Sequence, residues 1–143
     1  MLKKINLEVI SPERLVLQEE VDFIALPAFE GECGILPGHQ PMLVQLKEGE
    51  ARFSKGNETE ILAVSGGFAE IHPYKVEIFA ETAEMSKEID MERARVAAER
   101  AKKELEKETI SPKELANAQA ALRRALIRLR VSEGMSRRAS RKK

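Results

Sequence analysis

Residues 58–81 read ETEILAVSGGFAEIHPYKVEIFAE, with three apolar runs separated by two turn signals. Residues 58–64 form the first run, and Ser65, Gly66 and Gly67 interrupt it before residues 68–72. Pro73 and Tyr74 then lead into residues 75–81. Glycine and proline at this spacing are typical of turns between short strands. The stretch therefore predicts consecutive short strands.

The same pattern extends back to the start of the chain. Ile5, Leu7 and Val9 alternate with polar residues, which is the period of a half-buried strand. Further short apolar runs occupy residues 21–26, 42–46 and 51–53. Many short strands at this spacing predict an antiparallel β-sandwich, or a flattened barrel, over residues 1–86.

After residue 82 the apolar period becomes helical. Asp90 is a good helix cap, and Ser111-Pro112-Lys113-Glu114 is a second helix start with a capping box. Gly134 predicts the end of the second helix. Residues 87–134 are thus expected to form an antiparallel two-helix hairpin, and residues 135–143 a basic disordered tail. The apolar stripes consist of Ala94, Ala97, Ala98, Ala101 and Leu105, then Leu115, Ala118, Leu122, Ala125, Leu126 and Leu129.

The alanine-rich stripes make the hairpin weak by itself. Methyl side chains bury little apolar area, and buried area stabilises by about 25 cal/mol per Å². A hairpin with so small a core needs a second surface, which is its own sandwich, another subunit or a ligand. The hairpin is therefore predicted to be a movable element.

Charge is divided unevenly along a chain whose net charge is zero. Residues 1–86 carry seven basic and fifteen acidic side chains, a net charge of −8, and residues 87–143 carry seventeen and nine, a net charge of +8. All six aromatic residues lie at or before Phe79. The asymmetry predicts two segments with different roles.

Several classes of protein are disfavoured by the composition. Cys33 is the single cysteine, so the chain cannot form an internal disulfide, and two histidines argue against a zinc site. No apolar run approaches the roughly 18 residues of a membrane span, and the first residues lack the apolar stretch of a signal peptide. Neither common glycine-rich phosphate loop occurs, which argues against nucleotide hydrolysis.

Residues 31–42, GECGILPGHQPM, form the densest motif. Three glycines and two prolines fix a particular loop path, so the motif is either a structural loop or a docking loop on a rigid scaffold. His39 has no nucleophile near it in sequence and Cys33 has no paired base. A catalytic role is therefore not supported.

Arginines crowd the last turns of the second helix, and three interpretations stay open. They could compensate the negative end of the helix, bind nucleic acid, or grip an acidic protein or the phosphates of a nucleotide. No aromatic residue lies among them, which argues against stacking on bases. These residues are Arg123, Arg124, Arg128 and Arg130.

Several motifs together resemble the epsilon subunits of bacterial F-type ATP synthases. The motifs are LEVISPERLV, LPAFEGECGILPGHQPMLVQLKEGE, SGGFAEI, IDMERARVAAERA and ALRRALIRLRV. The resemblance as a whole covers residues 2–133. The resemblance implies a ten-stranded sandwich followed by two helices, in a non-catalytic rotor subunit of the proton-translocating synthase. It also implies a place on the cytoplasmic face of the cell membrane, as a peripheral part of the complex.

The resemblance further implies partners and sites. The sandwich would contact the gamma subunit and the ring of c subunits, with Gly31, Glu32, His39 and Met42 at that contact. In an extended state, the hairpin would approach the alpha and beta subunits and inhibit ATP hydrolysis through the four arginines of the second helix. Some family members also bind a regulatory ATP, and the matching residues here are Glu84, Ile89, Asp90, Arg93, Arg100, Arg124 and Arg128.

Two other classes of function compete with the rotor subunit. One is a free-standing β-domain adaptor with a helical interaction arm, and the other is a small nucleotide sensor outside any motor. The rotor subunit requires no cofactor beyond a regulatory ATP that it could bind, and neither a metal nor a nucleic-acid partner is expected. Co-purification with alpha, beta and gamma chains distinguishes the rotor subunit from the other two. The helix cap alone could explain Asp90, which leaves the nucleotide site open.

Overall fold

The structure is a computed structural model that describes the backbone of residues 3–141 and the side chains of residues 3–133. The chain divides between Met85 and Ser86 into two compact units, which we call the β unit and the helical unit. Within the described residues the β unit has eight strands in one continuous sheet. They are β1 (Ile5–Ile10), β2 (Leu15–Val21), β3 (Phe23–Ala28), β4 (Gly31–Ile35), β5 (Met42–Gln45), β6 (Gly49–Lys55), β7 (Glu58–His72) and β8 (Lys75–Met85).

The long hairpin of β7 and β8 organises the sheet. The two strands pair antiparallel from Leu62 opposite Met85 to His72 opposite Lys75. Along the other edge of β7, β6 pairs with its first half and β5 with its second half. Because β5 and β6 pair with different halves of one strand, β7 contributes to two layers of the fold.

One layer contains β2, β1, the first part of β8, the last part of β7, and β5. The other contains β4, β3, β6 and the remaining parts of β7 and β8. Side chains such as Leu7 and Ile78 from the first layer join Leu26 and Phe53 from the second in one buried cluster. The predicted β-sandwich is therefore confirmed. Its eight continuous strands give the implied ten segments when β7 and β8 are counted once in each layer.

Gly66 and Gly67 lie between the two halves of β7. Both have positive φ angles, of 71° and 105°, which side chains of L-amino acids rarely tolerate. A Cβ atom at Gly67 would overlap the carbonyl oxygen of Phe79 and lie 3.0 Å from the Cα of Ala80. Glycine at this position therefore permits the close approach of β7 and β8. The two glycines do not end the strand, so the prediction of separate strands on either side of them is wrong.

The helical unit begins with a single 3-10 turn, Ser86–Glu88, followed by α1 (Met91–Leu105) and α2 (Pro112–Arg141). Asp90 caps α1, since its carboxylate accepts hydrogen bonds from the backbone N–H of Glu92 and of Arg93, at 3.0 and 3.2 Å. The predicted capping box starts α2: Ser111 Oγ accepts from the N–H of Glu114 at 3.2 Å, and Glu114 Oε2 accepts from the N–H of Ser111 at 3.3 Å. Both helix starts are thus confirmed.

Small side chains form the seam of the hairpin. Ala94, Ala98 and Ala101 of α1 are buried, as are Ala118 and Ala125 of α2. The predicted alanine seam is therefore present. Leucines of the same stripes are only half-buried or exposed, as Leu126 is.

Three further expectations about the elements need correction. The predicted loop over residues 31–42 begins with a strand, because Gly31–Ile35 forms β4 against β3. The strand β2 was not expected at all. Gly134 does not end α2, which continues to Arg141, so the predicted disordered tail is wrong up to that residue; Lys142 and Lys143 lie outside the described residues. A single interior glycine costs a helix only about 1 kcal/mol, which good helix-forming neighbours such as arginine and alanine can offset.

Candidate functional site

Apolar side chains form a row across the outer face of the first layer. Strand pairing places Leu15 beside Ile10, Ile10 beside Phe79 and Phe79 beside Phe68. The rings of Phe68 and Phe79 stack with centroids 5.1 Å apart, and Phe68 and Leu15 are 44% and 54% exposed. We call these four residues the apolar row. An exposed contiguous row of large apolar side chains is characteristic of a protein contact surface.

Glutamates form the adjacent row on the same face. Glu8 lies beside Glu77, and Glu77 beside Glu70, in the pairing of three neighbouring strands. Like charges in adjacent positions repel, and the basic groups near them lower that repulsion. Lys75 Nζ lies 3.2 Å from Glu77 Oε1, and this hydrogen bond, together with the charges of Glu8 and Glu70, raises the pKa of Lys75. The outer face of the first layer is therefore apolar in one row and acidic in the next.

A cleft opens at one edge of the β unit, between the turn from β3 to β4 and strand β5. It has a volume of about 430 Å³. Gly31, Glu32 and Met42, three of the four expected docking residues, line it, and Phe29 and Leu43 add exposed apolar side chains. The structure therefore brings these three residues together around one concave surface. Its full lining is Ala28, Phe29, Glu30, Gly31, Glu32, Cys33, Met42, Leu43, Val44 and Gln45.

His39, the fourth expected docking residue, does not line the cleft. Its ring Nδ1 lies 2.8 Å from the carbonyl oxygen of Gln40, and its backbone N–H donates to the carbonyl of Leu36 at 3.2 Å. The preceding Gly38 has a φ of 86° and donates its N–H to the carbonyl of Pro73 at 2.6 Å. The loop is thus held by one backbone hydrogen bond within it and one to the turn between β7 and β8.

The ionisable groups of the cleft are poorly suited to catalysis. Glu32 forms an ion pair with Arg52, and both side chains are partly exposed. Partial burial raises the pKa of the Cys33 thiol, which reduces the fraction of reactive thiolate. No group of three metal-ligating side chains occurs in the part of the chain that the structure describes. The exposed side chains that line the cleft include large apolar ones, with Glu30 and Glu32 beside them.

The arginines of α2 differ in exposure. Arg123 and Arg130 are exposed, whereas Arg124 and Arg128 are half-buried. Arg124 and Arg128 are four residues apart, so they lie on one face of the helix. The two pairs can therefore serve different contacts.

The residues expected to bind ATP belong to both units of the chain. Asp90 and Arg93 meet at the start of α1, where the Asp90 carboxylate is engaged as the cap. The side chains of Arg93 and Arg100 are exposed on α1, and Ile89 is half-buried just before it. Glu84 belongs to β8 and thus to the other unit. The cap accounts for the position of Asp90, so a nucleotide site would depend mainly on the arginines.

Sequence reasoning missed the apolar row because its members come from separate parts of the chain. The usable signal was the alternation within β1 and β8, where Ile10 and Phe79 occupy positions that a solvated strand face would fill with polar residues.

Neither helix has, within its described residues, a segment long and apolar enough to cross a membrane.

Comparison with protein families matches both units. Residues 4–86 match the ATP synthase delta/epsilon chain β-sandwich domain. Residues 87–133 match the long α-helix domain of the same chain. The two matches together extend over nearly all the described residues.

Individual proteins agree with the family match. An ATP synthase epsilon chain of Syntrophobacter fumaroxidans is 47% identical over 133 residues, which are 93% of this chain and 98% of that protein. One of Nitratidesulfovibrio vulgaris is 46% identical over 92% of this chain and 97% of its own length. Among solved structures, a chain of the Euglena gracilis mitochondrial ATP synthase is similar with a TM-score of 0.72 and 28% identity, over 84% of this chain and 76% of that chain. This protein therefore belongs to the ATP synthase delta/epsilon chain family.

Proposed function

We propose that this chain is the epsilon subunit of an F-type ATP synthase and acts as a non-catalytic subunit of its central stalk. The observation that carries the proposal is the 46–47% identity to ATP synthase epsilon chains over at least 92% of the chain. Those alignments cover 97–98% of the relatives' own lengths, and this chain matches both domains of the family. A shared pair of units favours the rotor subunit over a β-domain adaptor with an unrelated arm.

The β unit supplies two contact surfaces for the stalk. The apolar row would pack against the gamma subunit, since large exposed apolar side chains contribute most when a partner covers them. The cleft with Gly31, Glu32 and Met42, and the nearby loop with His39, would face the ring of c subunits. Through these contacts the chain would connect gamma to the ring and lie on the cytoplasmic face of the membrane without entering it.

The helical unit would act as a brake on ATP hydrolysis. Residues 87–143 carry a net charge of +8, and Arg123 and Arg130 are exposed on α2. In an extended state these arginines would meet acidic side chains of the alpha and beta subunits. The alanine seam supports such a change of state, because separating α1 from α2 exposes little apolar area.

In this proposal ATP would regulate the helical unit by binding only the folded hairpin and thereby stabilising it. Arg93, Arg100, Arg124 and Arg128 would supply positive charge, with Glu84, Ile89 and Asp90 beside them. A ligand that binds one state only, at ten times its dissociation constant, stabilises that state by about 1.4 kcal/mol. Calorimetry of the chain with ATP tests this step. Absence of binding heat at millimolar ATP, or equal binding by Arg124→Ala, would remove ATP from the mechanism and leave the mechanical role.

Co-purification tests the main proposal. A tagged chain expressed in its own host should bring down the alpha, beta and gamma chains in fixed stoichiometry. The double substitution Leu15→Ser and Phe68→Ser removes two exposed members of the apolar row and should weaken this recovery by more than tenfold. Leu126→Ser, which changes an exposed leucine of α2, serves as the matched control. Recovery of the tagged chain without these partners would refute the assignment.

A further inference from the structure

Strand β5 has one paired edge and one open edge. It pairs with β7 from Met42 opposite Ile71 to Gln45 opposite Phe68. Just beyond β5, the N–H of Leu46 donates to the carbonyl of Gly67 in β7 at 2.9 Å. Since backbone groups alternate in direction along a strand, Met42 and Val44 also point their N–H and C=O toward β7. Leu43 and Gln45 therefore point theirs away from it.

A second contact confirms this direction. The carbonyl of Gln45 accepts a hydrogen bond from the N–H of Phe29, at 3.3 Å, on the side opposite β7. The isolated pairing of Ala28 with Leu46 continues that contact, so the end of β3 covers the strand edge from Gln45 onward. Within the part of the chain that the structure describes, the N–H and C=O of Leu43 and the N–H of Gln45 have no strand partner.

The open edge of β5 also lacks the charges that guard the other sheet edges. Natural proteins keep foreign strands away from exposed edges with charged side chains, bulges or covering segments. The edge strand β2 carries Glu19 and Glu20, and the edge strand β4 carries Glu32. The sequence of β5, MLVQ, has no charged residue, and Leu43 is 68% exposed.

The cleft lies directly beside this edge and can receive a side chain. Its volume of about 430 Å³ is bounded by Phe29, which is 62% exposed, and by Met42, which is 45% exposed. Successive side chains of an added strand point to opposite faces, so every second one would be directed into the cleft. Glu30 is exposed at its rim and carries a negative charge. The surface thus fits an apolar side chain with a basic residue next to it.

We propose that β5 is a strand-addition site, where an extended segment of a partner protein pairs with Leu43 and Gln45. An apolar side chain of that segment enters the cleft, and a neighbouring lysine or arginine meets Glu30. The inference rests on the proposed function, in which the cleft faces the ring of c subunits, so the partner segment belongs to a c subunit. It adds the mode of binding, which is backbone pairing rather than packing of side chains alone.

Residue-resolved hydrogen exchange tests the pairing directly. The probe is the synthase depleted of this chain, and the isotopically labelled full chain is added back before exchange. The amides of Leu43 and Gln45 should exchange fast in the free chain and more than about tenfold slower in the complex. The amides of Met42 and Val44, which face β7, should be slow in both. This alternation is the signature of an added strand.

Substitutions at Leu43 separate the backbone from the side chain. Leu43→Pro removes an N–H that β7 does not use, and proline is tolerated at such an edge position. Leu43→Ala keeps the N–H and removes most of the same side chain. We expect Leu43→Pro to raise the dissociation constant about tenfold beyond Leu43→Ala, with unchanged circular dichroism.

Each outcome decides between the two proposals. If the chain rejoins the synthase while the Leu43 and Gln45 amides exchange as fast as before, strand addition is wrong and the stalk assignment stands. Equal affinities of the proline and alanine variants would lead to the same conclusion. If the unmodified chain does not rejoin the depleted synthase, the proposed function itself fails and takes the inference with it.

Discussion

Gly67 is the residue at which the β unit should be most sensitive to a single added methyl group. In Gly67→Ala, the new Cβ would overlap the Phe79 carbonyl oxygen and lie 3.0 Å from the Cα of Ala80. Both neighbours belong to the backbone of β8, so neither can move without displacing the strand. Overpacking of this kind costs about 1–3 kcal/mol, and the φ of 105° adds about 1–3 kcal/mol for a residue with a side chain.

The expected loss of unfolding free energy is therefore about 2–6 kcal/mol. Total stabilities of about 5–15 kcal/mol are typical of such proteins, so the variant should unfold at much lower urea concentration. Tyr74 is the single tyrosine of a chain without tryptophan, and its fluorescence therefore reports on the β unit. Urea titration followed by this signal measures the change.

Gly56→Ala provides the matched control. Gly56 also has a positive φ, of 58°, but a Cβ there would have no atom within 4 Å. Its substitution should cost about 1–2 kcal/mol, which is the backbone penalty alone. If Gly67→Ala is no more destabilising than Gly56→Ala, the close approach of β7 and β8 at the bend is not as the structure describes.

Three further substitutions test separate features of the fold. Ser132 has a buried hydroxyl without a hydrogen-bond partner among the described residues. Ser132→Ala should therefore raise the unfolding free energy by about 1 kcal/mol. A lower unfolding free energy in urea titration would show instead that the hydroxyl is paired. Ser111→Ala removes the cap of α2 and should lower the unfolding free energy by about 1 kcal/mol and weaken the helical circular dichroism signal. Ser111→Asp should retain both the stability and the signal. Equal losses in the two variants would refute the cap. The pKa of Asp22 is lowered, chiefly by the hydrogen bond from the N–H of Gly56 and then by Lys4. The charged form of Asp22 therefore stabilises the fold above about pH 4, and this contribution disappears as the pH falls through the lowered pKa. Asp22→Asn should flatten that part of the stability–pH curve, and an unchanged acid limb would contradict the assignment.

Local rules in the sequence were sufficient for the starts of both helices. Asp90, Ser111 and Glu114 identify their helix starts through side-chain chemistry that acts within three residues. The end of α2 was not predictable in the same way. A glycine at position 134 lowers helix stability slightly, and the surrounding residues decide whether the helix continues.

The β unit was predictable as a class but not in its strand boundaries. In β2, LVLQEEV, the apolar and polar residues are not alternating, because the strand is an edge with only Val21 fully buried. The glycines of β7 look like a turn in sequence, whereas the structure uses them to bend one long strand between two layers. Pairing between distant strands, which local patterns do not encode, decides both cases.

The contact surfaces depend on the same long-range pairing. Gly31, Glu32 and Met42 come from one motif and line one cleft, whereas their docking role is implied only by the family resemblance and stays a prediction. The apolar row could not be identified from one motif, because Leu15, Phe68 and Phe79 become neighbours only through the pairing of β1, β2, β7 and β8. The open edge of β5 likewise becomes visible only once the direction of each backbone group is known.

ATP hydrolysis by the assembled synthase is the decisive measurement for a stalk subunit with a helical brake. Synthase depleted of this chain is reconstituted either with the full chain or with a form that lacks residues 87–143, and hydrolysis is measured at equal occupancy. The shortened form should bind through the β unit and give faster hydrolysis than the full chain. High salt should also speed hydrolysis by the synthase that carries the full chain, because salt screens the arginine contacts. Equal inhibition by the two forms would contradict a brake in the helical unit, and failure of both forms to bind would contradict the stalk assignment.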